Sequence, residues 1–537
     1  MPVVSTRPRR TLRPSAATLL RLVVAAVAGI AAGLSFEPYH LYVLLPLSVG
    51  ALTVLCVGRR ARGGFGLGAV FGTAFMLVLL PWVTVIGAYA WVPLSVAEGL
   101  FYGLAGLATA VVCRLRWWPL WAACSWVALE AARALFPFGG FPWGRLSFAT
   151  EDTPVANAFA YVGAPGVTFL VALLGVTLAW AALELRRRPV AATVGVVVAT
   201  ALVCLPLAVA FPAVRPGDHR VTVAAVQGNV PGKGLEAFAE RRVVLENHVN
   251  ATLGFGGRID EGKARQPDLV VWPENSSDID PYTDPSARLA IGSAAQAVHA
   301  PLLMGAVIGD RKDSGWYNRA IVWSPTGGQP GRHYDKIHPV PFGEYIPLRS
   351  VLAPRIPALA QIPSDMIRGR RPGVLQVGPA KTGVLMCFEV AYDGLVHDLV
   401  RHGADLVVVP TNNATYTDTG QVEQQFAMSR LRAIETGRTV VVASTNGISG
   451  VVDARGRVLQ RAPERRPAVL EQTVPLSTRT TPAVAMGGWP ELGLSVVALV
   501  AVLIGLGLRY RRPARTPDEP PTEPSPHPEP AGASPTP

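Results

Sequence analysis

The sequence predicts a multi-pass α-helical membrane domain of about eight spans that carries one exported α/β domain. Three observations point there. Half of the 537 residues are hydrophobic and only 16% are charged, where soluble domains carry roughly a quarter; mean hydropathy is +0.31. The apolar residues gather into eight long runs, seven before residue 212 and one near the C-terminus, separated by a stretch of ordinary polarity. The arginines collect on alternate sides of those runs.

The elements follow in order. Residues 1–15 form a basic N-terminus. Runs at 16–34, 39–57, 65–86, 91–113, 117–135, 161–184 and 189–211 build a seven-span domain over 16–211, each near the ~20 residues that cross a bilayer. The eighth span is GWPELGLSVVALVAVLIGLGL, 488–508. Arg7, Arg9, Arg10 and Arg13 precede the first run. Arg59, Arg60 and Arg62 follow the second, Arg114 and Arg116 the fourth, Arg186 to Arg188 the sixth, and Arg509, Arg511, Arg512 and Arg515 the eighth. Among the opposite short loops Arg145 is the exception. This alternation obeys the positive-inside rule, so both termini are expected in the cytoplasm and residues 219–475 on the extracytoplasmic face of the plasma membrane. No cleavage site follows the first run, which therefore reads as a retained span. The tail 509–537 is Pro-rich without apolar periodicity and reads as disordered and cytoplasmic. The net charge of +12 is then a topology signal with attraction to anionic lipid, not a nucleic-acid surface.

Within 219–475, apolar strands alternate with amphipathic helices. Strand patterns fall at 221–230, 268–275, 301–309, 318–325, 382–389, 404–413 and 438–453. Helical patterns fall at 234–253, 286–300, 392–404 and 422–437. Such alternation implies an α/β fold with a covered sheet, and sites in these folds gather at strand C-termini. Three strand ends are polar: Glu274-Asn275, Cys387-Phe388-Glu389 and Asn412-Asn413.

Cys56, Cys113, Cys124 and Cys204 fall in apolar runs, whereas Cys387 is alone in the exported domain. A disulfide framework is therefore excluded there, and a lone thiol in an oxidising compartment is either buried or used. Glu274 ends an apolar strand, a setting in which a carboxylate works as a general base. Lys336 lies in HYDKIHPVPFGEYIP, too rich in Pro and Gly for a helix or central strand; fixed there, it suits an oxyanion. Cys387 suits a nucleophile. Taken singly, each also reads as ordinary: a solvated loop Glu, a solvent-facing Lys, a packed core Cys. His333 and His338 have no companion ligands, so no metal and no cofactor is expected. Glu98, inside the fourth run, reads as a functional group or as a packing partner for another polar side chain.

WPEN, DKIHPVPFGEYIP and LMCFE, in that order, resemble the Glu-Lys-Cys signature of the nitrilase (carbon–nitrogen hydrolase) superfamily. The likeness extends through TNNATY and SRLRAIETGRTVVVASTNGISGVVDARGRV. A domain of this kind before the last of eight spans, with Glu130, Arg133 and GGFPWGRLSFAT upstream, resembles the apolipoprotein N-acyltransferase branch. The resemblance implies an α-β-β-α sandwich, with Cys387 as nucleophile, Glu274 as base and Lys336 as stabiliser of the tetrahedral intermediate. It makes Glu344 a further carboxylate near the site, Phe388 a backbone oxyanion donor, and Glu389 either a site-shaping carboxylate or the residue opening the next helix. It also implies a membrane phospholipid as acyl donor and a diacylglyceryl-apolipoprotein as acceptor, joined through an acyl-thioester. Three positions depart from the pattern. Phe388 replaces a Tyr, Leu235 or Phe238 stands for a Trp beyond VQGN, and Gln425 replaces a His. The segment 343–373 reads as a mobile apolar arm or as an ordinary surface loop. The rival readings are a membrane-anchored amidase and a non-catalytic membrane scaffold.

Overall fold

The computed structural model describes residues 15–208, 211–215, 217–232, 241–310, 315–326, 330–356, 359, 362 and 364–510; Leu235, Phe238 and nearly all of the Pro-rich tail lie outside them. Each of the eight apolar runs forms a helix: α1 Ala16–Gly33, α2 Leu44–Cys56, α3 Ala61–Leu79, α4 Ala88–Val112, α5 Trp118–Leu135, α6 Phe159–Glu184, α7 Pro189–Cys204 and, at the far end, α14 Trp489–Tyr510. Among the described residues five helices are long and apolar enough to cross a membrane, fewer than the eight expected. The shortfall has local causes. α2 and α7 run only 13 and 16 residues, the latter stopped before Pro206, and α5 carries Glu130 and Arg133. α3 and α6 are among the five, although α3 ends before Pro81 and α6 kinks where Gly163 takes φ 63° ahead of Pro165.

Two packing devices hold these helices together. α3 and α4 touch backbone to backbone: a Cβ at Gly64 would stand 2.4 Å from the Gly106 carbonyl oxygen, and one at Gly72 2.5 Å from that of Gly99. Small residues at such crossings replace the hydrophobic drive that lipid does not supply. The second device is ionic. Arg133 Nε donates to Glu98 Oε2 at 2.7 Å, and its other nitrogens donate to the Tyr102 hydroxyl and the Trp143 carbonyl at 2.8 and 2.7 Å. Glu98 is thus a buried partner of Arg133. Glu130 accepts from Leu146 N–H and the Thr168 hydroxyl, both at 2.7 Å, pinning the loop after α5.

The remaining part of the chain, from Arg220 onward, is a sandwich. Its elements are β1 Arg220–Gln227, α8 Arg241–Asp260, β2 Leu269–Val271, α9 Pro285–Ala297, β3 Leu302–Gly309, β4 Trp316–Trp323, β5 Pro330–Asp335, α10 Arg349–Leu352, β6 Val374–Val377 and β7 Ala380–Val384. They continue as α11 Asp393–Arg401, β8 Leu406–Thr411, α12 Gly420–Thr436, β9 Val440–Ser444, β10 Gly450–Val452, β11 Val458–Arg461, β12 Ala468–Pro475 and α13 Pro482–Met486. One sheet runs β12-β1-β2-β3-β4-β5 and the other β11-β10-β9-β8-β7-β6. Each has three parallel central strands, β1 to β3 and β7 to β9, with antiparallel neighbours outside. Strand alternation sorts the side chains. Val408 faces the opposite sheet, while Val407 and Val409 face α11 and α12. α8 and α9 cover the other sheet. The layers are α-β-β-α, as the resemblance implied.

The apolar pattern at 438–453 is two antiparallel strands rather than one, because Thr445 to Ser449 turn the chain. β11 and β12 carry no clear pattern since they are half-exposed edges. The α11–α12 layer shares one continuous apolar core with the membrane helices, and Arg145 fastens the junction. Its guanidinium lies 3.1 Å from Asp393 at the head of α11 and 2.9 Å from Glu491 at the head of α14.

Arg133→Met strands the buried Glu98 carboxylate, and removing one partner of a buried pair costs about 3–5 kcal/mol. Thermal unfolding in detergent micelles should show that loss, with partial recovery in the Glu98→Gln/Arg133→Met double variant.

Candidate active site

Three chain segments converge at the C-terminal edge of the strands. β2 delivers Trp272-Pro273-Glu274, and the passing β3 must be glycine at 305, where a Cβ would stand 2.6 Å from Glu274 Cα. Lys336 follows β5, its N–H donating to the Asn318 carbonyl of β4 at 2.9 Å. Beyond β7 the chain reaches Cys387, whose φ of 53° places a non-glycine residue in the left-handed region. Strained backbone of this kind is held only where the surroundings over-determine it. A short helical turn from Cys387 to Ala391 follows, presenting the thiol at the turn.

Lys336 Nζ donates to Glu274 Oε1 at 2.7 Å and lies 3.0 Å from Glu344 Oε2. Asn318 Nδ2 donates to both carboxylates, to each at 2.7 Å. Glu274 Oε2 accepts from Asn412 N–H at 2.9 Å, and Glu344 Oε2 accepts from Val340 N–H at 2.7 Å. Lys336 is 1% exposed and Glu274 2%. Burial alone would lower the Lys336 ammonium, yet Glu274, Glu344 and Cys387 hold it well above its ordinary value. The Cys387 thiol is close enough to Glu274, Glu344 and Lys336 to feel all three charges. Burial, then the Glu274 charge, push the thiol up, and Lys336 opposes them. At neutral pH Cys387 therefore rests as a thiol.

Glu389 does not face this cluster; it ties its halves together. Its Oε1 accepts from Ile337 N–H at 2.7 Å and His338 N–H at 3.0 Å, while Oε2 accepts from Met386 N–H at 2.8 Å. The Tyr334 hydroxyl reaches both oxygens. One carboxylate thus locks the Lys336 loop to the residue before Cys387. Burial raises its proton affinity, and Lys336 and the backbone donors counter that.

A wall of rings flanks the thiol, much of it from the membrane domain. Phe388 stacks on Trp143 at 5.9 Å and on Phe141 at 5.6 Å. Trp143 meets Trp82 at 5.6 Å, and Trp82 meets Tyr416 at 5.2 Å. Trp143 Nε1 donates to Gln424 Oε1 at 2.8 Å. Gln424 Nε2 in turn donates to the Glu37 and Leu79 carbonyls. His338 stacks on Tyr392 at 3.9 Å, and burial pushes its imidazole down to about 4. Gln425 knits Thr411 to Asn413 beneath the end of β8. The root of the 343–373 segment brings Glu344 to the site, and Asp365 pairs with Arg349 to fold it back. Leu348 and Val351 on it are exposed.

Glu274, Lys336, Cys387 and Glu344 therefore meet in one place, with Phe388 next to the thiol and Glu389 bracing the two halves through backbone N–H groups. Asn318, Trp82, Trp143, Tyr416 and Gln424 were not singled out in the sequence. A buried Asn inside a strand pattern was the available signal for the first; the others become legible only once the two domains are docked.

Residues 28–177 match the family described as apolipoprotein N-acyltransferase N-terminal domain, and residues 222–482 match carbon–nitrogen hydrolase. An apolipoprotein N-acyltransferase of Mycolicibacterium smegmatis is 40% identical over 89% of this chain and 83% of its own. The chain belongs to the apolipoprotein N-acyltransferase family. The Geobacter metallireducens member is 30% identical over 84% of this chain and 89% of its own. A solved nitrilase-superfamily amidase from Nesterenkonia AN1 aligns over 51% of this chain and 95% of its own, at 19% identity and a TM-score of 0.37.

The charges around Cys387 fix the sign of one experiment. Glu274→Gln removes a group that raises the thiol and leaves Lys336, which lowers it. In a background without the other four cysteines, the pH midpoint for alkylation of Cys387 should start above the usual thiol value of about 8.5 and fall in Glu274→Gln. A midpoint that rises or stays put contradicts this electrostatic arrangement.

Proposed function

We propose that this chain transfers an acyl group from a membrane phospholipid to the N-terminal diacylglyceryl-cysteine of an apolipoprotein, through a thioester on Cys387. The observation that carries the reading is the position of Cys387. It sits beside a buried Glu-Lys-Glu cluster and against a ring wall shared with the membrane domain. Glu274 takes the thiol proton, and the thiolate attacks the ester carbonyl of the phospholipid. Lys336 and the Phe388 N–H stabilise the tetrahedral oxyanion. Its collapse expels the lysophospholipid alkoxide, which takes the proton back from Glu274. In the second half the acceptor's α-amine attacks the thioester, Glu274 removes the amine proton, the C–S bond breaks, and the departing Cys387 thiolate takes that proton back from Glu274. Asn318 and Glu344 hold Lys336 and Glu274 in register, and Phe388 offers an apolar wall where relatives use a hydroxyl.

Residues 219–475 are read as extracytoplasmic and both termini as cytoplasmic, from the arginine alternation. Phospholipid and apolipoprotein then meet the thiol at the outer face of the bilayer. An amidase would use the same three residues, but it would leave the Trp82, Trp143 and Phe141 wall of the membrane domain without a task.

Intact-mass analysis after incubation with phospholipid should show a hydroxylamine-labile fatty-acyl adduct. Cys387→Ala should show none, and Lys336→Met should form it at least about 10²-fold more slowly. Identical masses for wild type and Cys387→Ala would refute the acyl-enzyme. For topology, a cysteine introduced on β11 should react with an impermeant maleimide on intact cells or spheroplasts; protection until lysis would place the domain on the other side.

A further inference from the structure

Beside α12, the loop between α1 and α2 meets the loop after α5. Glu37, His40 and Glu151 each turn a donor atom inward, and the three atoms lie within 4.8 Å of one another. His40 Nε2 is 2.7 Å from Glu37 Oε2, and its Nδ1 is 2.7 Å from the Tyr42 hydroxyl. Glu37 is 7% exposed and Glu151 6%. Glu151 Oε2 is buried with no hydrogen-bond partner. The nearby cations are otherwise engaged: Arg430 pairs with Asp152, and Arg461 with Glu423. A cavity of about 320 Å³ lined by Glu37, His40, Asp152 and Arg430 adjoins the cluster.

Two buried carboxylates facing one another are compensated by a shared proton or by a cation, because burial without compensation is costly for each; the unpartnered Glu151 oxygen beside His40 is placed for a cation. The donor set says which kind. One imidazole with two carboxylates suits a borderline divalent ion, whereas hard ions such as Mg²⁺ prefer oxygen ligands throughout. Tyr42 holding Nδ1 leaves Nε2 for the ion, the usual outer-shell arrangement of a ligating histidine. Bonds of about 2.0–2.2 Å to zinc place donors up to about 4 Å apart, a small closure for a half-exposed His40.

We propose that Glu37, His40 and Glu151 bind one divalent transition-metal ion of the zinc type, at the seam between the membrane helices and α12. The ion's task is structural. The Glu37 carbonyl accepts from Gln424 Nε2 at 3.0 Å, Gln424 accepts from Trp143, and Trp143 stacks on Phe388. Fixing Glu37 therefore fixes the wall beside the thiol without touching the reacting atoms.

Full-length protein in detergent, free of histidine tags and stripped with chelator, is titrated with Zn²⁺ by calorimetry, and retained metal is counted by elemental mass spectrometry. Wild type and Cys387→Ala should each retain one zinc per chain and melt at a higher temperature with it. Glu37→Gln/Glu151→Gln should bind none. His40→Ala, measured against its own metal-free melting temperature, should lose the zinc-dependent rise. Absence of stoichiometric zinc in wild type overturns the proposal, and so does binding undiminished in His40→Ala. Tighter binding of Ca²⁺ than Zn²⁺ overturns the assignment of ion class.

Discussion

A lysine buried to 1% exposure between two glutamates is the feature on which the rest of this molecule turns. An ammonium in that position is tolerable only while Glu274 and Glu344 stay charged beside it, and they are tolerable only while it stays charged. Each partner arrives from a different part of the chain: the end of β2, the loop after β5, and the root of the 343–373 segment. Asn318 of β4 bridges the two carboxylates, so the register of β3, β4 and β5 is written into the geometry of the charges. Glu389 extends the same logic to the nucleophile, since its five acceptor contacts join the Lys336 loop to the strained turn at Cys387. Losing any one of these groups leaves another buried polar atom without its partner.

The second constraint is the seam between the two domains. The α11–α12 layer has no outer solvent face of the usual kind, because the membrane helices cover it through one continuous core. Arg145, Asp393 and Glu491 hold that contact ionically, and Gln424 holds it through backbone carbonyls and Trp143. The aromatic wall beside Cys387 is consequently a joint product of both domains. A soluble sandwich could carry Glu274, Lys336 and Cys387 in the same places and still lack Trp82, Phe141 and Trp143.

Much of this was legible in the sequence, for identifiable reasons. The apolar runs were long and the strand ends were polar, so the helices and the Glu274 and Cys387 strand ends could be located from periodicity, whereas Lys336 and the three residues as a set rested on the resemblance to the nitrilase signature. The count of long spans came out lower because Pro206 and the short α2 and α7 cut apolar stretches that composition alone joins, and because Glu130 and Arg133 make α5 part of a buried ionic network. The pattern at 438–453 contained its turn signal, Asn446-Gly447 between two valine runs, which reading the stretch as one apolar strand passed over. β11 and β12 escaped notice as half-exposed edges. Glu389 could not be assigned from its neighbours in sequence, since its donors Tyr334, Ile337 and His338 lie some fifty residues away. Trp143 and Gln424 were invisible for the same reason, 281 residues apart in the chain yet 2.8 Å apart in space.

The central claim is that the acyl group on Cys387 passes to an amine and not to water. A single-turnover chase tests it most directly. Acyl-enzyme preloaded with a labelled chain and freed of phospholipid is mixed with a diacylglyceryl-cysteine peptide, and label is followed on both. The account predicts that label leaves Cys387 only when the peptide is added, and appears on its α-amine at the same rate. Release as free fatty acid at a rate indifferent to the peptide would contradict it.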